Sequence, residues 1–135
     1  MADPLVSIIV PTFNRARLLG EALDGIAAQT FRDYEIIVVD DGSTDETPTI
    51  IAARPEPIRR LWQPNQGPAS ARNYGLSEAR GTLVAFLDSD DVWMPGYLQA
   101  CVELINPRPE LALAYCDFTC IDGHGSAVNG HRKRQ

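Results

Sequence analysis

The sequence predicts an α/β fold in which an open, mainly parallel, Rossmann-like sheet is flanked by helices. Short apolar runs with strand character alternate with segments whose apolar residues recur at helical spacing, as expected for strands joined by right-handed crossovers. Length and composition agree, because 135 residues with 44% hydrophobic and 22% charged side chains suit one globular domain. The sequence contains no internal repeat and no linker between Val6 and Phe118.

Five apolar runs are predicted to form strands. The first is rich in β-branched residues, and we expect Pro11 to end it. The second and the fourth are apolar almost throughout, which predicts burial on both faces. In chain order, the predicted strands are Val6–Val10, Tyr34–Val39, Ile58–Gln63, Leu83–Leu87 and Leu111–Phe118.

Four segments between these strands are predicted to be helical. Apolar side chains recur at helical spacing in the first, and Ser43-Thr44-Asp45-Glu46 resembles a capping box that opens the second. Gly67-Pro68 places proline in the first turn of the third, where backbone N–H groups are expected to face a phosphate. The predicted helices are Arg15–Gln29, a helix after the box that ends at Ala53, a helix from Pro68 to Ala79, and Gly96–Ile105.

The net charge restricts the kinds of partner. The chain carries 12 basic and 18 acidic side chains, a net charge of −6, and three of the basic residues are Arg132, Lys133 and Arg134. A protein body this acidic repels polyphosphate backbones, so we expect no nucleic-acid partner. An anionic ligand is expected to need a cation that mediates its binding.

Cysteine usage and the lack of a leader pattern predict a cytoplasmic protein. Three cysteines, an odd number, suit a reducing compartment. The amino-terminal residues lack the basic, apolar and small-residue regions that follow one another in a secretory signal peptide. No apolar stretch approaches the roughly 20 residues of a membrane-spanning helix. Cys116, Cys120, His124 and His131 form an alternative zinc set, but their spacing is not that of a common zinc motif.

Polar clusters follow three of the predicted strands. They are Pro11-Thr12-Phe13-Asn14, Asp40-Asp41-Gly42-Ser43 and Asp88-Ser89-Asp90-Asp91. Because the carboxyl ends of parallel strands share the edge at which ligands bind, these clusters predict a binding site. Five aspartates there are expected to repel one another unless a cation or ligand lies between them. Helix capping is the alternative, and it accounts for one acid per helix.

The Asp88-Ser89-Asp90 segment has the spacing of a divalent-metal site. Side chains two residues apart at a strand end point the same way, so both carboxylates can reach one ion or its water shell. Such oxygen ligands favour Mg²⁺ or Mn²⁺, which keep open positions for substrate phosphates. Two aspartates at this spacing occur often, so the pattern gains its meaning from the segments around it.

Four segments together resemble, in order and spacing, the family-2 glycosyltransferases with a GT-A nucleotide-sugar-binding fold. The resemblance extends from about Leu5 to Asp122. The matching segments are VSIIVPTFNR from Val6, QTF from Gln29 with YEIIVVDDGSTD from Tyr34, NQGPASARNYG from Asn65, and FLDSDD from Phe86 with Trp93-Met94-Pro95.

This resemblance implies that the first two polar clusters bind the nucleoside of the donor. The segment of Pro11, Thr12, Phe13 and Asn14 would hold the base and ribose, with the Phe13 ring against uracil. Asp41 would form a hydrogen bond with the base. For Phe13, plain core packing is the alternative.

The resemblance assigns the remaining residues to the ribose, the diphosphate and the metal. Asp88 would face the ribose and the water shell of the ion, with Ser89 beside the donor. Asp90 would ligate Mn²⁺ or Mg²⁺ between the diphosphate oxygens. Arg72 and Asn73 match a segment near the donor, although a surface salt bridge is the alternative for Arg72.

The resemblance also implies a whole enzyme that transfers the sugar, with inversion, to a hydroxyl of a saccharide or lipid-linked acceptor in cell-envelope polysaccharide biosynthesis. Its carboxylate base is expected beyond Gln135, because no acid follows Asp122. We therefore expect residues 1–121 to bind the donor and residues 122–135 to begin the acceptor half, so that this chain binds without transferring. Peripheral association with the inner face of the membrane, and a homo-oligomer formed through an apolar edge near Leu111–Phe118, are also compatible.

The sequence is also compatible with three other classes of protein. Asp88-Ser89-Asp90-Asp91-Val92 satisfies the string of a haloacid-dehalogenase phosphatase, which places it on the first strand and needs a lysine downstream. A receiver domain also needs a late lysine, and Lys133 is the chain's sole lysine. A non-catalytic nucleotide-binding remnant of the same fold is the third class.

Overall fold

The computed structural model describes residues 2–128, in which strands and helices alternate along the chain. The strands are β1 (Val6–Thr12), β2 (Tyr34–Asp40), β3 (Ile58–Trp62) and β4 (Leu83–Phe86). The helices are α1 (Ala16–Ala27), α2 (Thr47–Ala52), α3 (Pro68–Glu78) and α4 (Tyr97–Ile105). This alternation confirms the predicted α/β class. The longest helix among the described residues has 12 residues, so none of them can cross a bilayer.

The four strands form one parallel sheet in the order β3-β2-β1-β4. The chain moves outward from β1 through β2 to β3 and then returns to the other side of β1 to form β4. The strand order therefore reverses between β1 and β4, and we call the carboxyl ends of these two strands the switch point. In open parallel sheets, ligands bind in the crevice at such a point.

The sequence predicts that Pro11 ends β1, but the strand continues through Pro11 to Thr12. In a parallel strand, successive residues face the two neighbouring strands in turn. The carbonyl of Ile9 accepts a hydrogen bond from the N–H of Leu87, so Ile9 and, two residues on, Pro11 face β4. The β1–β4 ladder stops at the Ile9–Phe86 pair, so the missing N–H of Pro11 interrupts no ladder hydrogen bond.

The core lies around the two central strands. All residues of β1 are buried, and Ile9, Ile37 and Val39 pack against Ala71 of α3. Gly75 brings α3 close to the sheet, because a Cβ at this position would lie 2.5 Å from Cγ2 of Ile9. This close approach fixes the position of α3 against β1 and β2.

β4 is less buried than its apolar sequence predicts. Leu83, Val84 and Ala85 are half-buried, and Phe86 is exposed. The reason is that β4 lies at the edge of the four-stranded sheet and pairs only with β1. The apolar run predicts a strand that is covered on both faces, whereas residues 2–128 cover β4 only in part.

The predicted capping box does not form. α2 begins at Thr47, and its N-cap residue, Glu46, makes no side-chain capping bond. Asp45 instead accepts hydrogen bonds from the N–H and the hydroxyl of Thr47, while the hydroxyl of Ser43 accepts the N–H of Asn14. Ser43 is therefore used to join two loops rather than to cap the helix.

The chain divides into two compact units, one up to Ala100 and one from Cys101 onward. In the second unit, the end of α4 is followed by irregular backbone and an antiparallel bridge between Ile121 and Ala127. The strand predicted at Leu111–Phe118 is absent from this described segment, and Leu113 is exposed. An apolar run forms a strand only where a neighbouring strand supplies hydrogen-bond partners, and the backbone of Leu111–Phe118 belongs to no ladder.

Replacing Gly75 with alanine is expected to lower the free energy of unfolding by about 1–3 kcal/mol, because the added methyl group overlaps Ile9 and overpacks the core. Urea denaturation measures this loss. Gly96→Ala is the matched control, since a Cβ there meets no atom within 4 Å, and its effect should stay within about 0.5 kcal/mol. Equal stability of the two variants would show that α3 can move away from the sheet at no cost.

Candidate functional site

The three polar clusters found in the sequence meet at the carboxyl edge of the sheet. The loops after β1 and β4 flank the switch point and are joined by an ion pair of 2.8 Å between Arg15 Nη1 and Asp90 Oδ2. The loops after β1 and β2 are joined by a hydrogen bond of 3.0 Å from the N–H of Asn14 to Oγ of Ser43. The three clusters therefore form one continuous site.

Asn14 fixes the loop after β2. Its Oδ1 accepts hydrogen bonds from the N–H of Thr44 at 2.8 Å and of Asp45 at 3.3 Å. Its own backbone has a positive φ of 50°, a conformation in which asparagine is tolerated better than most residues. In this structure, Asn14 acts as a bridge between two loops.

Asp41 is a buried junction between the end of β2 and the start of α3. Its Oδ1 accepts hydrogen bonds from Nε2 of Gln63 at 2.7 Å and the N–H of Gln66 at 2.8 Å, and its Oδ2 accepts the N–H of Gly67 at 2.9 Å. The N–H of Gly67, expected to face a phosphate, is therefore taken by Asp41. Burial alone raises the pKa of Asp41, but these three hydrogen bonds outweigh it and hold the pKa below its ordinary value.

Asp40 is fully buried and has partners of its own. Its Oδ2 pairs with Nη2 of Arg60 at 2.8 Å, and its Oδ1 accepts the N–H of Ser43 at 2.9 Å. These contacts tie β2 to β3 and to the loop that follows β2. Asp40 thus stabilises the carboxyl edge of the sheet from a buried position.

The acids after β4 form a compact cluster at the switch point. Asp88, Asp90 and Asp91 each offer a carboxylate oxygen, and these oxygens all lie within 4.8 Å of one another. Asp88 pairs with Nη2 of Arg72 at 2.6 Å, and Asp90 pairs with Arg15. The expectation that a cation or ligand must lie between these acids is thus corrected in part, because two guanidinium groups of the chain already pair with Asp88 and Asp90 and leave one negative charge of the cluster unbalanced.

The acid cluster suits a hard divalent ion. Carboxylate oxygens at this separation match the ligand preference of Mg²⁺ and Mn²⁺. Burial, together with the charges of Asp90 and Asp88, raises the pKa of Asp91 above its ordinary value, so the cluster concentrates negative charge. The residues present therefore fit such an ion.

Gln29 positions the segment after the acid cluster, a role that the sequence analysis missed. It is almost fully buried, and its Nε2 donates to the carbonyl of Met94 at 2.8 Å and of Gly25 at 3.1 Å. Its Oε1 accepts the N–H of Leu98 at 3.0 Å. Two sequence signals were present: Gln29 is a polar residue at the end of an apolar helical pattern, and it begins one of the segments that carry the family resemblance, to which no role was assigned.

The remaining predicted residues occupy different environments. Pro11 and Thr12 are buried in β1, Ser89 is buried inside the acid cluster segment, and Phe13 is 43% exposed rather than packed in the core. Asn73 is exposed on α3. Among the described residues, the Thr12 hydroxyl is the one buried side-chain oxygen or nitrogen without a hydrogen-bond partner.

The alternative zinc set is not assembled in the described part of the chain. Cys116 and Cys120 are exposed free cysteines, and the acids at the switch point are the one group of three or more potential metal ligands found among residues 2–128. His131 lies outside the described residues, as do Arg132, Lys133 and Arg134.

Open parallel α/β sheets bind their ligands, nucleotides among them, at the switch point, which is where the acid cluster lies. The family model described as glycosyl transferase family 2 matches residues 7–129. The chain belongs to glycosyltransferase family 2, and this confirms the resemblance seen in the sequence. Membership excludes the phosphatase and receiver-domain alternatives.

Relatives of known sequence support this assignment. An uncharacterized glycosyltransferase of Nostoc sp. is 38% identical over 128 residues, which cover 92% of this chain and 39% of that protein. The succinoglycan biosynthesis protein ExoO of Rhizobium meliloti is 37% identical over 123 residues, covering 89% of this chain and 35% of that protein. The chain thus spans less than two fifths of the length of these relatives.

Solved structures show the same fold. S. aureus TarS in complex with UDP-GlcNAc superposes with a TM-score of 0.70 at 34% identity, covering 81% of this chain and 32% of that one. The mannosyltransferase PcManGT from Pyrobaculum calidifontis, in complex with GDP-Man and Mn²⁺, gives a TM-score of 0.62 at 36% identity, covering 67% and 28%. These neighbours confirm the GT-A type of fold.

The charge of Asp41 is expected to stabilise the protein in a pH-dependent way. Because folding lowers its pKa, the stabilisation is present above the unfolded value of about 3.9 and is lost as the pH falls through the lower folded value. Asp41→Asn should lower the free energy of unfolding by about 1.5–3 kcal/mol at pH 7, because it removes hydrogen bonds to a charged acceptor.

Urea denaturation between pH 7 and pH 3 checks this expectation. The difference between wild type and Asp41→Asn should shrink as the pH falls below about 4. Asp33→Asn, an exposed acid before β2, makes the same charge change and should have little effect at either pH. A difference that stays constant across this range would show that the ionisation of Asp41 does not matter for stability.

Proposed function

We propose that this site binds the nucleoside-diphosphate sugar donor, a UDP-sugar, through a divalent ion. The observation that carries the proposal is the cluster of Asp88, Asp90 and Asp91 oxygens within 4.8 Å of one another at the switch point. A diphosphate bears at least two negative charges, so a cation is needed where the chain itself is acidic. The complexes of TarS with UDP-GlcNAc and of PcManGT with GDP-Man and Mn²⁺ support a donor and a metal of these kinds.

Asp90 is proposed as the direct ligand of Mn²⁺ or Mg²⁺, with Asp88 acting on the ion or its water shell. When bound, such an ion supplies Lewis-acid stabilisation of the charge that develops on a departing diphosphate. Gln29 keeps the chain after these acids in place through its bonds to Met94 and Leu98. The protein's part is thus to fix the acids at the switch point before the donor arrives.

The loops after β1 and β2 are proposed to bind the uridine. Phe13 is exposed beside the site and offers a ring face to a base, while Pro11, Thr12 and Asn14 line the end of β1. Asp41 already accepts three N–H bonds, so any bond to the base adds to its structural role. The partnerless Thr12 hydroxyl supports a ligand at this place, because buried polar groups normally have partners.

Arg72, Asn73 and Ser89 are proposed to act near the ribose and diphosphate. Arg72 is half-buried and pairs with Asp88. The salt bridge that was the alternative for Arg72 is therefore formed with a residue of the proposed donor site. In this arrangement, Arg72 orients the carboxylate of Asp88. Asn73 lies next to it on α3, and Ser89 lies between the two proposed metal-site acids.

The whole protein is proposed to transfer the sugar with inversion to a hydroxyl of a saccharide or lipid-linked acceptor. ExoO, named for succinoglycan biosynthesis, supports a polysaccharide role. In this view, residues 1–121 bind the donor, residues 122–135 begin the acceptor half, and the carboxylate base follows Gln135. The three cysteines support a cytoplasmic location, and association with the inner face of the membrane is part of the same proposal. A non-catalytic nucleotide-binding remnant is the competing proposal, which transfer by the whole protein would exclude.

Asp90→Asn is expected to weaken Mn²⁺-dependent binding of UDP at least tenfold while leaving the fold intact, because it removes the direct ligand from a cluster of like charges. Isothermal titration calorimetry of UDP with and without Mn²⁺ measures the effect. Asp33→Asn, a matched charge change on the exposed loop before β2, should bind as wild type does. The melting temperature of metal-free Asp90→Asn should not fall by more than a few degrees, since the lost ion pair is half-exposed.

Two results would contradict this proposal. Equal UDP affinities for wild type and Asp90→Asn would exclude the metal role of Asp90. Absence of UDP binding to the wild-type chain at millimolar concentrations, with Mn²⁺ present, would exclude the donor site itself. A panel of UDP, GDP and TDP in the same titration separates uridine recognition from general binding of diphosphates.

Thr12→Val is expected to have opposite effects on stability and on binding. Removing a partnerless buried hydroxyl should raise the free energy of unfolding by about 1 kcal/mol, because its desolvation is uncompensated. Loss of a hydrogen bond to the nucleoside should weaken UDP by about two- to tenfold. Thermal denaturation and calorimetry measure the two effects. A variant that is more stable and binds UDP as tightly as wild type would remove Thr12 from the donor site.

A further inference from the structure

The ion pair between Arg15 and Asp90 uses the carboxylate that is proposed as the metal ligand. Nη1 of Arg15 lies 2.8 Å from Oδ2 of Asp90. Both side chains are nearly half exposed, at 47% and 46%. Arg15 is the residue before α1, and it joins the loop after β1 to the loop after β4 across the switch point.

This pair has the properties of an exchangeable contact. It is made through one guanidinium nitrogen and is open to solvent, and exposed pairs of this kind contribute little to stability. A divalent ion on Asp90 would meet the positive charge of Arg15 at the same carboxylate. The two cations therefore compete for Asp90, and their repulsion opposes simultaneous binding.

The charges of the site show when this competition matters. Three carboxylates and the guanidinium groups of Arg15 and Arg72 leave the site with one net negative charge. A divalent ion alone converts this to one net positive charge, and a diphosphate of two negative charges returns it to one negative. Without Arg15, the same ion alone makes the site neutral, so the nucleotide is no longer needed to balance it.

We propose that Arg15 is a resident counter-cation of Asp90 that makes tight binding of the divalent ion depend on the nucleotide diphosphate. The proposal rests on the proposed function. In the free protein, Arg15 neutralises Asp90 and discourages uptake of the ion by itself. When the ion and the diphosphate bind together, Arg15 exchanges the carboxylate for the added anion. Arg15 is thus a positioning residue that couples two ligands, and the coupling is reciprocal.

Binding of Mn²⁺, followed by the electron paramagnetic resonance signal of the free ion, tests the proposal without any transfer reaction. The titration is made with and without UDP on wild type, Arg15→Gln and Arg15→Lys. Arg17→Gln is the matched control, because Arg17 is an exposed arginine of α1 that pairs with Glu21. Arg15→Ser replaces Arg15→Gln if the latter is unstable, since serine is a favourable residue before a helix.

Arg15→Gln is expected to raise the affinity for Mn²⁺ in the absence of UDP by about two- to fivefold, the range of an exposed ion pair. The factor by which UDP tightens Mn²⁺ should fall by at least as much. Arg15→Lys should keep values close to wild type, because the charge remains. Arg17→Gln should leave both unchanged. The gain in Arg15→Gln should decrease in 0.5 M NaCl, where charges are screened.

An unchanged or lower affinity of Arg15→Gln for Mn²⁺ alone, with UDP and Mn²⁺ still bound by wild type, overturns this inference and leaves the donor site standing. An equal gain in Arg17→Gln also overturns it, because general charge rather than Arg15 would then be responsible. If wild type binds neither Mn²⁺ nor UDP, the proposed function fails and the inference fails with it.

Discussion

The buried carboxylate of Asp41 holds the carboxyl edge of the sheet together. Its removal from water is unfavourable, and three N–H bonds from the segment between β3 and α3 compensate for it. The same bonds fix Gly67, whose φ of 94° suits glycine, directly before α3. α3 carries Arg72, which pairs with Asp88 after β4. Asp41, directly after β2, thereby determines where Asp88, directly after β4, finds its partner Arg72.

Exposure divides the aspartates of this edge into two groups with different roles. Asp40 and Asp41 are buried, and their oxygens are occupied by partners of the chain that no ligand can replace without loss of structure. Asp88 and Asp90 are about half exposed, and each carries a guanidinium group that solvent can reach. A bound cation can exchange with such a partner at little cost to the fold. The acids that build the site are therefore not the acids proposed to bind the ion.

The sheet could be predicted from the sequence because strand and helix periodicities are local properties, and the strand ends then placed the polar clusters on one edge. Features that depend on residues distant in the sequence could not be predicted from it. β1 continues through Pro11 because the ladder between β1 and β4 ends before Pro11. Ser43 does not cap α2, because its hydroxyl accepts the N–H of Asn14, a residue from another loop. Leu111–Phe118 has a strand pattern without a ladder. The sequence predicted no role in the site for Arg15 and Gln29, because their hydrogen-bond partners Asp90 and Leu98 lie more than 60 positions away in the chain.

Two local departures from stable structure lie at the end of β1, where the nucleoside is proposed to bind. Asn14 has a left-handed backbone conformation, and Thr12 buries a hydroxyl without a partner. Each is expected to destabilise the free protein by about 1 kcal/mol, and neither is needed to form the sheet. In a sequence whose other elements agree with their fold, such departures concentrate where a ligand recovers the loss. Both departures therefore support the proposal that the end of β1 binds the nucleoside, with Arg15 beside it as the proposed partner of the diphosphate.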